Sequence, residues 1–246
     1  MLPLTFQPIG IVRSCFVEKF GIPRQPGLAP AARAELELLP PFNDPLALEG
    51  LEQCSHLWLQ FVFHQPPSDQ WRPRVRPPRL GGNRRLGVFA TRSPLRPNPI
   101  GLSVVRLEGV HVGTDRIWLA LSGIDLLDGT PVLDIKPYVP YTDCLPDAEN
   151  RFAAQAPDWI EVVFTPEASA ACQQLTDQTG QDWETLLRQI LQQDPRPQYQ
   201  APDPERRYGM RLKNAEIHWC YQTQRNPSGD TPGYRLIVTS VTPHGE

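Results

Sequence analysis

Four short stretches of this sequence carry side chains able to bind and react with a small charged ligand. In GIPRQPG (21–27), Arg24 and Gln25 stand between Pro23 and Pro26, so their backbone is partly fixed before any ligand arrives. In FHQPP (63–67), His64 and Gln65 close an apolar run. In GVFATRSPLRPNPIGLS (87–103), Arg92, Ser93, Arg96 and Asn98 are set among Pro94, Pro97 and Pro99. GIDLLDGTPVLDIKPYVPYTD (123–143) carries Asp125, Asp128, Asp134, Lys136, Tyr138 and Tyr141. A guanidinium forks onto a carboxylate or phosphate, and a carboxylate receives hydroxyls or an amine. Asp134 and Lys136 share one strand face by period-two alternation, and two tyrosines in a proline-rich exit could stack on a base. Each stretch also has a plainer reading, as a proline-stopped loop with solvated polar groups or as a surface ion pair of little worth. Both readings stay open at this point.

These stretches need strands to hold them. IGIVRS (9–14), HLWLQFVFH (56–64), LGVFAT (86–91), GLSVVRLEGV (101–110), RIWLALSGID (116–125) and VLDIKP (132–137) are β-rich and separated by Gly, Pro, Asn and Asp. AARAEL (31–36) reads as a lead into a strand at 35–39. Short strands with turn signals at this spacing predict a closed or strongly curved antiparallel sheet. Val88, Phe89 and Thr91 read as a strand end, with the next strand starting near Ile100. The connection between them is about twice the two to five residues of an ordinary hairpin turn. After Pro146 the pattern changes. WIEVVF (159–164) is a strand, 167–175 and 183–191 are helical, and Trp183, Leu186, Leu187, Ile190 and Leu191 form one apolar stripe. EIHWCYQ (216–222) and YRLIVTSV (234–241) predict a hairpin around Asn226-Pro227 and Gly229, with Ile217, Trp219 and Tyr221 inward.

Composition narrows the class. The chain has 246 residues, 40% of them apolar, enough for one large domain or a main domain with an appendix. Its 29 prolines exceed the usual ~5% but are scattered through patterned sequence, which predicts rigid loops. Net charge is −3, yet no acidic residue falls between Asp69 and Glu108. That interval holds Arg72, Arg74, Arg76, Arg79, Arg84, Arg85, Arg92, Arg96 and Arg106, a one-signed patch suited to a nucleic acid or to plain solvation. Five dispersed cysteines without C-x-x-C predict reduced thiols and no zinc site. The N-terminus lacks a signal-peptide pattern, and the run 57–63 is too short to span a bilayer, so the expectation is a cytoplasmic, non-membrane, metal-free protein. G-x-G, Gly-Lys-Ser/Thr, H-E-x-x-H and G-x-S-x-G are all missing, which argues against a dinucleotide fold, a P-loop, a zinc hydrolase and a serine hydrolase.

GVFATRSPLRPNPIGLS followed by DGTPVLDIKPYVPYTD closely resembles the TrmO family, the tRNA threonylcarbamoyl-adenosine N6-methyltransferases. EKFGIPRQPGL, SHLWLQFVFHQ and RPPRLGGNRRLGVFATRS resemble further family blocks in the same order. The likeness covers Phe6 to Asp147 and continues more loosely through DPRPQY (194–199) and RRYGMRL (206–212). It implies a mainly β protein. A single-sheeted antiparallel β-barrel over 1–147 would bind S-adenosylmethionine, and a small α+β C-terminal domain over 148–246 would contact tRNA. A homodimer is implied as well. By family pattern the cofactor positions are Pro23, Arg24, Gln25, His64, Gln65, Arg92, Leu102, Asp125, Leu126, Leu127 and Asp128.

Physical reasoning adds roles to that resemblance. The acceptor nitrogen, lying between adenine and a carbonyl, is a poor nucleophile until its proton is shed, so Asp134, Lys136 and Tyr138 are the expected catalytic residues. Arg72, Arg74, Arg76, Arg84, Arg85 and Arg96 are the expected RNA contacts. The prolines around Arg92 and Arg96 would lower the ordering cost of a loop that presents donors to cofactor and RNA. Two rivals stand beside this reading: a non-catalytic RNA-binding β-barrel that retains the cofactor pocket, and a methyltransferase of small molecules.

Overall fold

Period-two burial builds the first sheet. Along β3 (His56–Val62), Leu57, Leu59 and Phe61 point inward while His56, Trp58, Gln60 and Val62 point outward. The same alternation runs through β1 (Gly10–Ser14), β2 (Arg33–Leu38) and β7 (Ile117–Ser122). With β6 (Ile100–Val112) and β8 (Pro131–Pro137) they close into an antiparallel barrel, in the order β1-β2-β7-β6-β3-β8. Val12, Leu36, Leu57, Leu59, Val105, Leu119, Leu121 and Val132 fill its interior. The long β6 makes closure possible: it pairs with β3 through Ile100–Arg106 and with β7 through Arg106–Val112. A register shift between Leu107 and Gly109 bends it where the partner changes, as a bulge does. This computed structural model describes residues 4–66, 70–77, 84–196, 200–224 and 233–243.

One strand expectation fails. The 86–91 segment contributes only β5 (Leu86–Gly87), which pairs with β4 (Arg74–Val75) outside the barrel. Val88–Ala90 then forms a 3-10 turn, so residues 88–99 do not connect two paired barrel strands. The cause is local capture of carbonyls. The Arg96 guanidinium donates to Ser93 O at 2.9 Å, Thr91 O at 2.5 Å and Val88 O at 3.4 Å, while Thr91 Oγ1 donates to Val88 O. These bonds fold the segment back on itself, in competition with a strand ladder.

The second unit has a four-stranded sheet, β10-β11-β12-β9, formed by β9 (Glu161–Phe164), β10 (Tyr208–Leu212), β11 (Ala215–Gln224) and β12 (Gly233–Pro243). The α1 turn (Pro140–Asp143) leads toward it. Strand β9 runs parallel to β12, and α2 (Pro166–Thr179) and α3 (Trp183–Leu191) make the crossover. Thr165 and Asp182 cap the two helices through their side chains, and Gly180 ends α2 at φ 68°. The predicted stripe of α3 is buried along its length, as are Ile217, Trp219 and Tyr221 of β11. The turn expected around Asn226-Pro227, with Arg79 and residues 197–199, lies outside the described residues. Among the described residues no helix is long and apolar enough to cross a membrane.

Candidate functional site

A cleft of about 410 Å³ opens where four stretches meet: the segment after β1, the exit of β3, the 92–96 loop with the start of β6, and the turn between β7 and β8. Its lining includes Pro23, Arg24, Gln25, His64, Gln65, Arg92, Leu102, Asp125, Leu126 and Leu127, positions drawn from Pro23 to Leu127 of the sequence. Asp128 lies beside them, where its Oδ1 accepts from the Ser14 amide at 2.9 Å and its own amide donates to Phe16 O. That carboxylate ties the β7–β8 turn to the end of β1.

The floor of the cleft is apolar and closely fitted. Phe61 and Phe63 meet edge to face at 5.1 Å. A Cβ on Gly101 would stand 2.1 Å from Phe61 Cζ, so β6 approaches the ring this closely because residue 101 lacks a side chain. Beside Gly101 comes Ser103, buried, whose hydroxyl donates to Asp125 Oδ1 at 2.7 Å. Burial pushes the Asp125 pKa up to about 6, against the pull of the Ser103 hydrogen bond and the Arg92 charge. His64 moves the other way: burial first, then the Lys19 charge, lower its pKa, with Asp128 opposing. The shift favours the neutral ring, which has one nitrogen to donate and one to accept.

Two stiff loops meet over this floor. Arg92 donates from Nη1 to Gln25 Oε1, joining the Pro23–Pro26 loop to the Pro94–Pro99 loop. Arg24 donates from Nη2 to the carbonyls of Asp194 and Arg196, each at 3.3 Å. Arg96 lines the cleft too, with its guanidinium turned onto its own loop's carbonyls.

Asp134, Lys136 and Tyr138 occupy the outer face of the barrel. Lys136 Nζ is 2.6 Å from Asp134 Oδ2, with both side chains about half exposed. Tyr138 packs against Trp58 and His56, with ring centres 5.9 and 6.5 Å apart, while Tyr141 is 92% exposed. Strand register links this face to the cleft: Gln60 pairs with Leu102 on one side and with Asp134 on the other. Two strand spacings separate Leu102 from Asp134, about 10 Å. Arg72, Arg74, Arg76, Arg84 and Arg85 are exposed, and Arg84 lies 5.1 Å over the Phe152 ring.

Ser103, Gly101, Phe61, Phe63 and Lys19 belong to the cleft and were not singled out from sequence. One signal was there: a serine within the inward series Gly101-Ser103-Val105 of an otherwise apolar strand face. Among the described residues no three of His, Cys, Asp or Glu gather to hold a metal ion.

Comparison with known proteins matches two family profiles. The tRNA-methyltransferase O N-terminal domain covers residues 11–144, and the TrmO C-terminal domain covers residues 157–227. The chain is similar to the tRNA (adenine(37)-N6)-methyltransferase of Escherichia coli, at 48% identity over 222 residues, 89% of this chain and 94% of that protein. It is also similar to a Pseudomonas aeruginosa protein provisionally named S-adenosylmethionine-dependent methyltransferase RcsF, at 60% identity over 214 residues, 87% and 91% of the two chains. The crystal structure of TrmO from Pseudomonas aeruginosa shares the fold at TM-score 0.78 and 48% identity, covering 99% of each chain.

Proposed function

The chain belongs to the tRNA-methyltransferase O family, and from that premise we propose how its cleft and outer face divide the work of modifying tRNA. The protein is a methyltransferase of tRNA, acting on N6 of adenine 37 and dependent on S-adenosylmethionine. Relatives named for that activity leave the non-catalytic barrel without support.

The observation that carries the site assignment is the convergence in one cleft of a buried carboxylate, two proline-stiffened loops and a phenylalanine floor. A volume of about 410 Å³ falls in the roughly 300–1,000 Å³ range of small-molecule sites. These groups fit S-adenosylmethionine. Arg92 can fork onto its carboxylate, Asp125 can receive its amine or ribose hydroxyls, and neutral His64 with Gln65 can read the adenine edge. When bound there the cofactor supplies an electrophilic methyl on a sulfonium. The chain's contribution is largely positioning: two loops fixed in advance hold donors in line, and the phenylalanine floor excludes water from one side.

The acceptor we propose is threonylcarbamoyl-adenosine, presented over Leu102 toward the outer face. Lys136 or an arginine of the 70–96 region meets its carboxylate. Asp134 or Asp125 takes the proton from N6. Asp125 lines the cleft itself, and Asp134 is the better exposed to a large substrate. The exposed arginines steer the RNA, with residues 1–147 carrying the chemistry and residues 148–246 adding tRNA contact. Action as a homodimer in the cytoplasm is part of the same proposal, resting on the family resemblance and on the free, dispersed cysteines.

The test uses tRNA from cells that lack this activity, incubated with purified protein and S-adenosylmethionine, then digested and weighed as nucleosides. One added methyl on threonylcarbamoyl-adenosine, absent with unmodified tRNA, is the expected result. A methyl gained by the isolated nucleoside as readily as by whole tRNA would instead favour the small-molecule reading.

A further inference from the structure

The segment between β1 and β2, residues 15–32, has the cleft on one side and the second unit on the other. Toward the cleft it presents Lys19, Ile22, Pro23, Arg24 and Gln25. Away from it, Phe20 stacks on Trp219 with ring centres 6.1 Å apart, and a Cβ at Gly21 would sit 2.7 Å from Met210 Sδ. The Gln181 side chain donates to Ala31 O, and Gln193 donates to Leu28 O.

Arg24 joins the two sides. Its Nη2 donates to the carbonyls of Asp194 and Arg196, 170 and 172 residues further along the chain. Those carbonyls are held by a compact polar knot. Asp194 sits at φ 50°, a conformation few residues other than Gly, Asn and Asp adopt readily. Its Oδ2 is 2.9 Å from Arg196 Nη2, with the two side chains 14% and 13% exposed. Its Oδ1 accepts the Tyr221 hydroxyl at 2.7 Å, and the Arg196 guanidinium lies 5.8 Å over the Tyr221 ring. Arg196 Nη1 also donates to Gln200 O.

We infer that the Asp194–Arg196–Tyr221 knot is a positioning device for Arg24, so that cofactor binding depends on residues of the second unit that do not line the cleft. A buried ion pair is weak evidence of added stability, since well-packed apolar residues often serve as well. What this pair does is aim two carbonyls, separated by one residue of the chain, at one guanidinium on a loop of the other unit. A long side chain fixed before binding no longer loses its rotamer freedom on binding. The inference rests on the cleft being the S-adenosylmethionine site.

The experiment is calorimetric titration of the full-length chain with S-adenosylmethionine, with steady-state kinetics and a thermal melt on each protein. Wild-type protein that does not bind would defeat the cleft assignment itself, before any variant is compared. Given wild-type binding, Tyr221→Phe and Asp194→Asn are the informative variants. Phe keeps the ring, and Asn tolerates the left-handed backbone while dropping the charge. Each weakens S-adenosylmethionine by about three- to tenfold, the range of one or two lost hydrogen bonds, and raises its KM with kcat within about twofold. Gln181→Ala, which removes a seam contact that does not reach Arg24, leaves the affinity unchanged. Wild-type affinity in both folded variants would overturn the inference. So would a loss in Gln181→Ala equal to theirs, because that would reduce the effect to general packing. If Tyr221→Phe fails to fold, Asp194→Asn decides alone.

Discussion

Arg92 Nη1 donates to Gln25 Oε1, so two loops that enter the fold almost seventy residues apart are tied across one cleft. Prolines flank both partners, at 23 and 26 on one side and at 94, 97 and 99 on the other. The bond makes Arg92 a member of the cleft before any ligand arrives. Arg92→Ala removes both the bridge and the charge. It is expected to weaken S-adenosylmethionine by about tenfold or more, since a hydrogen bond to a charged group is worth about 1.5–3 kcal/mol. Gln25→Ala removes the bridge and a cleft-lining amide but leaves the charge, and is expected to cost less, about two- to threefold, the low end for a single hydrogen bond. Calorimetric affinities for the two variants check this, and equal losses would mean that the charge adds nothing beyond the bridge.

Asp125 gives a pH dependence with opposite signs for folding and for binding. Its carboxyl is raised from 3.8 to about 6 by burial, so the folded state favours the neutral form. The stability it contributes is fully present below pH 4 and is lost as pH rises through 6. Ligand binding that uses the carboxylate runs the other way, and affinity falls by about tenfold between pH 7.5 and pH 5, with a midpoint near 6. Asp125→Asn flattens that profile at a weaker affinity. Titrations at four pH values decide it; a wild-type profile without an inflection near 6 would remove Asp125 from the binding step.

Asp134 and Lys136 are tested by separating cofactor affinity from turnover. Their ion pair lies on the outer face, two strands from Leu102. Asp134→Asn is expected to lower kcat/KM for tRNA by about a hundredfold, the lower end of general acid–base effects, and Lys136→Ala by about tenfold, the loss of one bond to a charged group, while S-adenosylmethionine affinity holds. Unchanged turnover would make the pair an ordinary surface contact.

The arginines separate by salt. Arg72→Ala, Arg74→Ala and Arg85→Ala should each weaken tRNA binding across sequences and reduce the slope of log K against log salt by about one. Arg96→Ala behaves differently, because its guanidinium holds the carbonyls of residues 88, 91 and 93. It loosens the loop and so lowers S-adenosylmethionine affinity along with turnover.

How much of this was legible beforehand depended on the range of the forces involved. Alternating burial in β1, β2, β3 and β7 is written in the sequence, and so is the α3 stripe from Trp183 to Leu191. Short strands and turn signals left a closed and a strongly curved sheet both open, and the family resemblance pointed to the barrel that closes. Residues 88–91 misled because Val, Phe and Thr favour strands. What decides their conformation is Arg96 reaching back over five to eight residues, which no local propensity records. The parallel β9–β12 pairing needed the helical crossover to be seen in space. Within the cleft, family pattern supplied the polar rim, while the floor came from geometry: Gly101 under Phe61, and Ser103 beneath Asp125. The carbonyls that hold Arg24 could not be read at all, since they lie 170 residues away and belong to main chain.

That separation also sets an order of events during synthesis. Every barrel strand has been made by Pro137, but the carbonyls of Asp194 and Arg196 follow Arg24 by 170 residues or more. At roughly 5–20 residues per second, that delay is about ten to thirty seconds. A chain ending at residue 150 would contain every barrel strand but neither of the carbonyls that brace Arg24. On the proposed bracing of Arg24, full affinity for S-adenosylmethionine would be acquired late, when Tyr221 and the second sheet have emerged.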